Sequence, residues 1–151
     1  MQGTMDMVIR QGRETTVEGS PLGAALARVG DRWSLLVVQA LLAGPRRWTD
    51  LADEVPGIAP NVLSERLRRL ERDGVLHSVP YSERPLRVTY ELTPAGRRLA
   101  PPVRLLADWG ADEEVEGPRH RACGTAMEAR WFCPTCDRAV DEETDEDVWV
   151  V

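Results

Sequence analysis

Three observations predict an α+β fold for this chain of 151 residues. Leu63, Leu67 and Leu70 fall at i, i+4 and i+7 within 60–73, the spacing of a helix with one buried face. From 77 to 92 the period drops to two: His77, Val79 and Tyr81, then Val88, Tyr90 and Leu92, alternate with Ser78, Pro80, Thr89 and Glu91, which makes two strands. Beyond them Val103, Leu106 and Trp109 restore a helical stripe, and a short extension follows that holds all 3 cysteines.

Taken in order, residues 1–19 are polar, lack the apolar run of a secretion signal and read as a disordered lead-in. The first helix, over 21–29, gathers Leu22, Ala25, Leu26 and Val29 on one face and stops at Gly30. Asp31 is placed to cap the next, in which Trp33, Leu36, Val37, Ala40 and Leu41 repeat before Gly44-Pro45. Both helices read as core. Thr49 is the expected cap of a short helix burying Leu51, Ala52 and Val55, broken by Pro56-Gly57.

The helix over 60–73 carries Asn61, Ser64, Glu65, Arg68 and Arg72 opposite its leucines, and Asp73-Gly74 ends it with a residue free to turn left-handed. Two helices joined by a tight Gly-containing turn form a helix-turn-helix, whose second helix commonly enters the DNA major groove. A plain helical hairpin is the alternative at this point. Of the two strands that follow, the first holds Pro80, which confines it to a sheet edge or marks its end. SERPLR at 82–87 is the expected polar loop between them, and its Arg84 and Arg87 suit phosphates or a narrow minor groove. A helix-turn-helix followed by such a hairpin is a winged helix, although a solvated hairpin tip would read the same way. Thr93-Pro94 starts a further helix with a capping hydroxyl and Pro at its first position, and Pro101-Pro102 must kink or restart it. The stripe of Val103, Leu106 and Trp109, widened by Leu105, comes after the core is complete and needs another surface, best supplied by a two-fold dimer.

Charge divides along the chain. The formal net charge is −6, but residues 1–110 carry 15 Arg against 13 acids while 111–151 carry 4 against 12. The body is weakly basic and the tail strongly acidic. All 19 basic residues are Arg, whose planar fork suits phosphates and base edges. The longest apolar run, 35–43, is interrupted by Gln39 and too short to span a bilayer, so no membrane partner is expected and the cytoplasm is the expected compartment. An odd number of cysteines, all near the C-terminus, argues against a secreted disulfide framework.

Those cysteines are spaced His120-x2-Cys123-x9-Cys133-x2-Cys136. Paired ligands on two tight turns suit tetrahedral Cys3His coordination, so a zinc-ribbon-like module over 118–140 with one structural zinc per chain is expected. Gly124 and Pro134 favour the turns, and 128–132 is the expected strand between them. With only Met127, Trp131, Phe132 and Val140 as sizeable apolar groups, the segment could hardly fold without metal. A redox pair at CPTC is a rival, though no βαβ unit surrounds it, and His120 could be a surface histidine beside a weaker three-Cys site. DEETDED at 141–147 reads as a solvated acidic run that points away from DNA, followed by VWVV, which could dock back.

Several motifs in one order resemble a known family: VGDRW at 29–33, GPRRWTDL at 44–51, PGIAPNVLSERLRRLERDGVL at 56–76, RVTYELTPAGRRL at 87–99 and LADWG at 106–110. Over 20–110 the chain resembles the HxlR-type winged-helix transcriptional regulators of bacteria, relatives of the MarR group. The resemblance implies a wing at 82–87, dimer contacts from the first and last helices, and a double-stranded DNA operator as partner. Many members carry a Cys just before the first helix, a thiol sensor in some; Ser20-Pro21 stands there instead.

The sequence therefore predicts a homodimeric DNA-binding regulator. Base contacts fall to Pro60, Asn61, Ser64 and Arg68, Arg72 joins them on the DNA-binding face, and phosphate or wing contacts fall to Arg84 and Arg87. No Ser/His/Asp set, phosphate loop or paired carboxylates point to an enzyme. Two rivals keep the fold: a metal- or thiol-responsive sensor acting through the cysteine cluster, and a protein-interaction module. A small-molecule effector is compatible with the sequence, which names neither it nor the operator.

Overall fold

The computed structural model describes residues 19–140, so the expectations for 1–18, for the acidic run and for VWVV lie outside the described residues. Helix α1, Pro21–Val29, begins where the Ser20 hydroxyl accepts the Gly23 N–H at 3.0 Å, with Pro21 in the first turn. Helix α2, Arg32–Leu42, is capped as expected by Asp31, which accepts the Ser34 N–H at 3.0 Å and the Ser34 hydroxyl at 2.6 Å. Strand β1, Arg46–Arg47, leads into α3, Trp48–Glu54, and α4, Pro60–Arg72. The hairpin of β2, Leu76–Glu83, and β3, Leu86–Leu92, follows. Then come α5, Pro94–Arg97, and α6, Ala100–Trp109, before the small hairpin of β4, Trp131–Cys133, and β5, Arg138–Val140.

The core lies where α2, α3 and α4 meet the hairpin. Leu63, Leu67 and Leu70 are 0%, 2% and 0% exposed, so the 3.6-residue period of α4 is spent on burial worth about 1.5–3 kcal/mol per side chain. They pack with Val37, Val38 and Leu41 of α2, Leu51 of α3, Val55, Val75, Leu76 and Leu92. Ser34 is fully buried too, its hydroxyl satisfied by Asp31. Gly74, at φ 69°, ends α4 in the left-handed conformation its sequence context requires.

The sheet runs β1-β3-β2, all antiparallel, with Arg46 opposite Tyr90, Arg47 opposite Thr89 and Leu76 opposite Leu92. Strand β2 is therefore an edge, as Pro80 demanded, and the ladder shifts register between Pro80 and Ser82. Thr93 accepts the Gly96 N–H at 3.0 Å and donates to the Gly74 carbonyl at 2.7 Å, fixing the start of α5 against the end of α4. Gly96 is buried so closely there that a Cβ would stand 1.9 Å from the Val75 carbonyl oxygen. Pro101 and Pro102 fall in the first turns of α6, so the helix restarts rather than kinks.

Five expectations change. Helix α1 is not core: only Val29 is buried, while Leu22 and Leu26 are 62% and 53% exposed, because nothing else in the described chain covers their face. Thr49 lies inside α3, whose cap is Arg47, with the Arg47 N–H bound by Asp50 Oδ2 at 2.8 Å. The sheet has a third strand, β1, too short to show a period. The wing is tighter than a six-residue loop: Ser82, Glu83, Leu86 and Arg87 belong to the ladder, leaving Arg84-Pro85 as the turn. In the tail the strand occupies Trp131–Cys133 rather than 128–132. No helix among the described residues is long and apolar enough to cross a membrane.

Candidate nucleic-acid interface

The arginines of α4 split into two sets. Arg66 turns inward, its Nε 3.1 Å from Asp31 Oδ1, and binds α4 to the cap of α2. Burial works against ionisation of Asp31, but the Ser34 hydrogen bonds and the Arg66 charge outweigh it and hold the carboxyl below its usual range. Arg69 donates to the Ala27 carbonyl and Arg28 to the Asp73 carbonyl, so α1 is clamped onto the C-terminal turn of α4. Arg68 and Arg72, one turn apart, stay exposed with Asn61 and Pro60. Sequence position alone does not separate these sets; a single turn of helix carries one Arg to structure and the next to solvent.

Ser64 is half-buried. Its hydroxyl accepts the Trp48 indole N–H at 3.1 Å and keeps its own hydrogen to donate. Ala59, the residue before α4, offers no side-chain acceptor, so the N–H groups of the first turn are open to an external one such as phosphate. At the other end Glu71 accepts the Ser78 N–H at 2.9 Å and the Ser78 hydroxyl at 2.7 Å, fixing β2, and with it the wing, against α4. Burial and the Glu71 charge push the nearby Tyr90 phenol above its ordinary value, with Arg68 opposing.

Arg84 lies in the hairpin turn and Arg87 on β3 opposite Ser82, both exposed. The sequence reading missed Arg47. Its guanidinium lies over the Tyr81 ring, 5.1 Å from the centroid, which sets an exposed cation beside the hairpin. The only sequence signal was the Arg46-Arg47 doublet immediately ahead of α3; Arg46 is occupied by Glu54 at 2.6 Å.

The four tail residues come together as two pairs. His120 Nδ1 lies 3.2 Å from Cys123 Sγ, and the Thr125 hydroxyl is 3.3 Å from the same sulfur. The Thr125 side chain and backbone N–H, then His120, bring the Cys123 thiol down to about 7. Across the second turn, hydrogen bonds from the Cys136 backbone and side chain lower Cys133. Among the described residues no three or more His, Cys, Asp or Glu side chains gather as a metal-holding group, so the structure does not bring the two pairs to one point.

A helix-turn-helix whose second helix bears an open polar face, followed by a β-hairpin tipped with arginine, defines a winged-helix DNA-binding protein. Residues 28–116 match the HxlR-like helix-turn-helix family, and the chain belongs to it. It is a DNA-binding transcriptional regulator, as its relatives are. An HTH-type transcriptional regulator of Mycobacterium tuberculosis is 41% identical over 130 residues, covering 82% of this chain and 81% of that protein. The regulator YtfH of Escherichia coli is 37% identical over 92 residues, 61% of this chain and 73% of its own. Among solved structures, the redox regulator HypR in its oxidised form is 32% identical with a TM-score of 0.57, covering 60% of this chain and 93% of that one. The reduced form of YodB from Bacillus subtilis is 29% identical with a TM-score of 0.53, covering 60% and 92%.

Proposed function

We propose that the protein acts as a homodimer on a two-half-site DNA operator, with α4 in the major groove and the β2–β3 wing on the backbone or in the minor groove. The observation that carries this is the division of the α4 arginines. Arg66 and Arg69 are consumed by internal partners, whereas Asn61, Arg68 and Arg72 form an outward face beside the Ser64 hydroxyl. Asn61 suits adenine and Arg68 guanine, each by paired hydrogen bonds to a base edge. Arg72, Arg84 and Arg87 supply cations along the phosphates.

Two helices support the dimer. Helix α6 exposes Leu106 at 51% and Trp109 at 87%, and α1 exposes Leu22 and Leu26. Apolar faces at both ends of the winged helix fit a second copy, whose recognition helix then meets the next half-site. A cytoplasmic location follows from this role. HypR is a redox regulator, but Ser20, which caps α1, stands here where a family thiol would be.

A gel shift on the DNA upstream of the protein's own gene, paired with sedimentation, tests the proposal. Retarded complexes weakened by Arg68→Ala, from a dimeric free protein, are expected. A chain that binds only partner proteins and no DNA would defeat it.

A further inference from the structure

We propose that residues 118–140 bind one zinc ion per chain through His120, Cys123, Cys133 and Cys136, as a structural site that holds the two tail turns together.

The two turns are built alike. In the first, the pair Arg119 and Ala126 closes a bridge, the Gly124 N–H donates to the His120 carbonyl at 2.7 Å, and the His120 N–H donates to the Thr125 carbonyl at 2.8 Å. In the second, Cys133 pairs with Arg138 across β4 and β5. Each turn carries two donors separated by two residues, and in each the residue after the second donor is left-handed: Gly124 at φ 71° and Asp137 at φ 51°. A non-glycine residue rarely takes that conformation, so its recurrence at the matching position is a shared local design. A tight turn of this shape aims both donors to one side, as a tetrahedral ion requires.

The second observation is the lack of any other glue. No residue from 111 to 140 is buried, and Trp131 and Phe132 are 59% and 58% exposed. Ordered hairpins of this size without a core depend on disulfides or metal. None of the three cysteines is in a disulfide, and an odd number cannot all be consumed by internal disulfides. A redox role for Cys133 and Cys136 alone would leave the matching His120–Cys123 turn without a purpose.

Coordination draws the two half-sites onto one ion. The three thiols lose three protons to solvent, and a neutral imidazole donates through Nδ1, the atom already facing Cys123 Sγ. One divalent cation and three thiolates leave a net charge of −1. Four protein donors leave no open position, which makes the site structural. It also steadies Met127 and Trp131, which with Pro101, Arg104, Leu105 and Asp108 of α6 line a groove of about 310 Å³.

The test is elemental analysis of the reduced full-length chain after equilibration with zinc, with cobalt(II) as a spectroscopic substitute. About one metal per chain and a tetrahedral cobalt spectrum with thiolate charge transfer are expected. Cys123→Ser, Cys133→Ser and His120→Ala should each weaken binding at least about tenfold, with the circular dichroism of the winged helix unchanged as proof of folding. Limited proteolysis should cut 118–140 only without metal. Reduced protein that takes up no stoichiometric metal, a six-coordinate cobalt spectrum, or Cys123→Ser binding as tightly as the parent would overturn the proposal. None of these readouts involves DNA, so they stand or fall apart from the operator reading.

Discussion

The Trp48 indole N–H donates to the Ser64 hydroxyl at 3.1 Å, so the first residue of α3 is tied to the outward side of α4. This bond crosses the helix-turn-helix and fixes the pitch of one helix on the other. Trp48→Phe should cost about 0.5–1.5 kcal/mol in urea unfolding, the usual net worth of such a bond. Ser64→Ala should cost little more in a Trp48→Phe background than the first change alone. Additive losses would show the two side chains to be uncoupled.

DNA contacts should separate by chemistry. Arg84→Ala or Arg87→Ala should weaken binding to every sequence and reduce the salt dependence by roughly one unit of slope per lost phosphate contact. Asn61→Ala or Arg68→Ala should instead relax preference at particular base pairs, by about 1–3 kcal/mol each. Titrations against operator and mismatched duplexes at several salt concentrations distinguish these outcomes; identical behaviour of all four variants contradicts the groove assignment.

In the proposed dimer, Leu106→Arg places a charge on the exposed stripe of α6, and Leu26→Arg does the same on α1. Both side chains are solvent-accessible within one chain, so the fold should tolerate the changes. Sedimentation should show monomers, and operator affinity should fall to that of non-specific binding. A wild type already monomeric at micromolar concentration counts against the interface.

Stability should carry an acid limb from Asp31. Its folded pKa lies below the ordinary 3.8, so its charge stabilises the native state above that value, and the benefit disappears as pH falls through the lower, folded pKa. Asp31→Asn keeps a capping oxygen but removes the charge facing Arg66. Urea unfolding of parent and variant should differ at neutral pH and converge only as the pH falls through the folded pKa, below the ordinary 3.8. Parallel curves across that range would assign the limb to other carboxylates. Asp31→Ala loses the cap as well and should cost about 1 kcal/mol more.

With zinc bound as proposed, its removal by a strong chelator should leave operator affinity nearly unchanged, because the winged helix has its own core in Leu51, Leu63 and Leu67. With 4 Arg against 12 acids, residues 111–151 also carry the wrong sign of charge to sit against phosphates. A gel shift before and after chelation is sufficient; collapse of binding on mild chelation favours a sensor acting through the cysteines.

Helix α4 and the hairpin were legible because their periods are long enough to count and their faces meet one core. Strand β1 was not, since two residues have no period and Arg46–Arg47 becomes a strand only through Tyr90 and Thr89 on β3. The cap of α3 was misplaced because Thr49 is a good capping residue by type, while Asp50 reaches back to the backbone of Arg47. The stripe on α1 was read correctly as apolar and wrongly as core: periodicity reports that a face seeks cover, not whether the cover lies in the same chain. At the candidate interface, Asn61, Arg68, Arg84 and Arg87 are as exposed as expected. Arg47 escaped notice because its role beside the hairpin depends on Tyr81, 34 positions away in the numbering of the chain.

Gly96 gives the Val75 carbonyl the space where other residues carry a Cβ, and α6 begins four residues later, at Ala100. In a two-fold assembly built on α6, that departure angle becomes a distance along the double helix. Half-sites read by paired recognition helices lie about one helical turn, roughly 34 Å, apart or a multiple of it. A side chain at 96 would lever α5 outward, rotate α6, and move the second reading head along the groove while leaving every base-contacting residue intact. Operator spacing would then be set in part by a methyl group missing from a residue that reads no base.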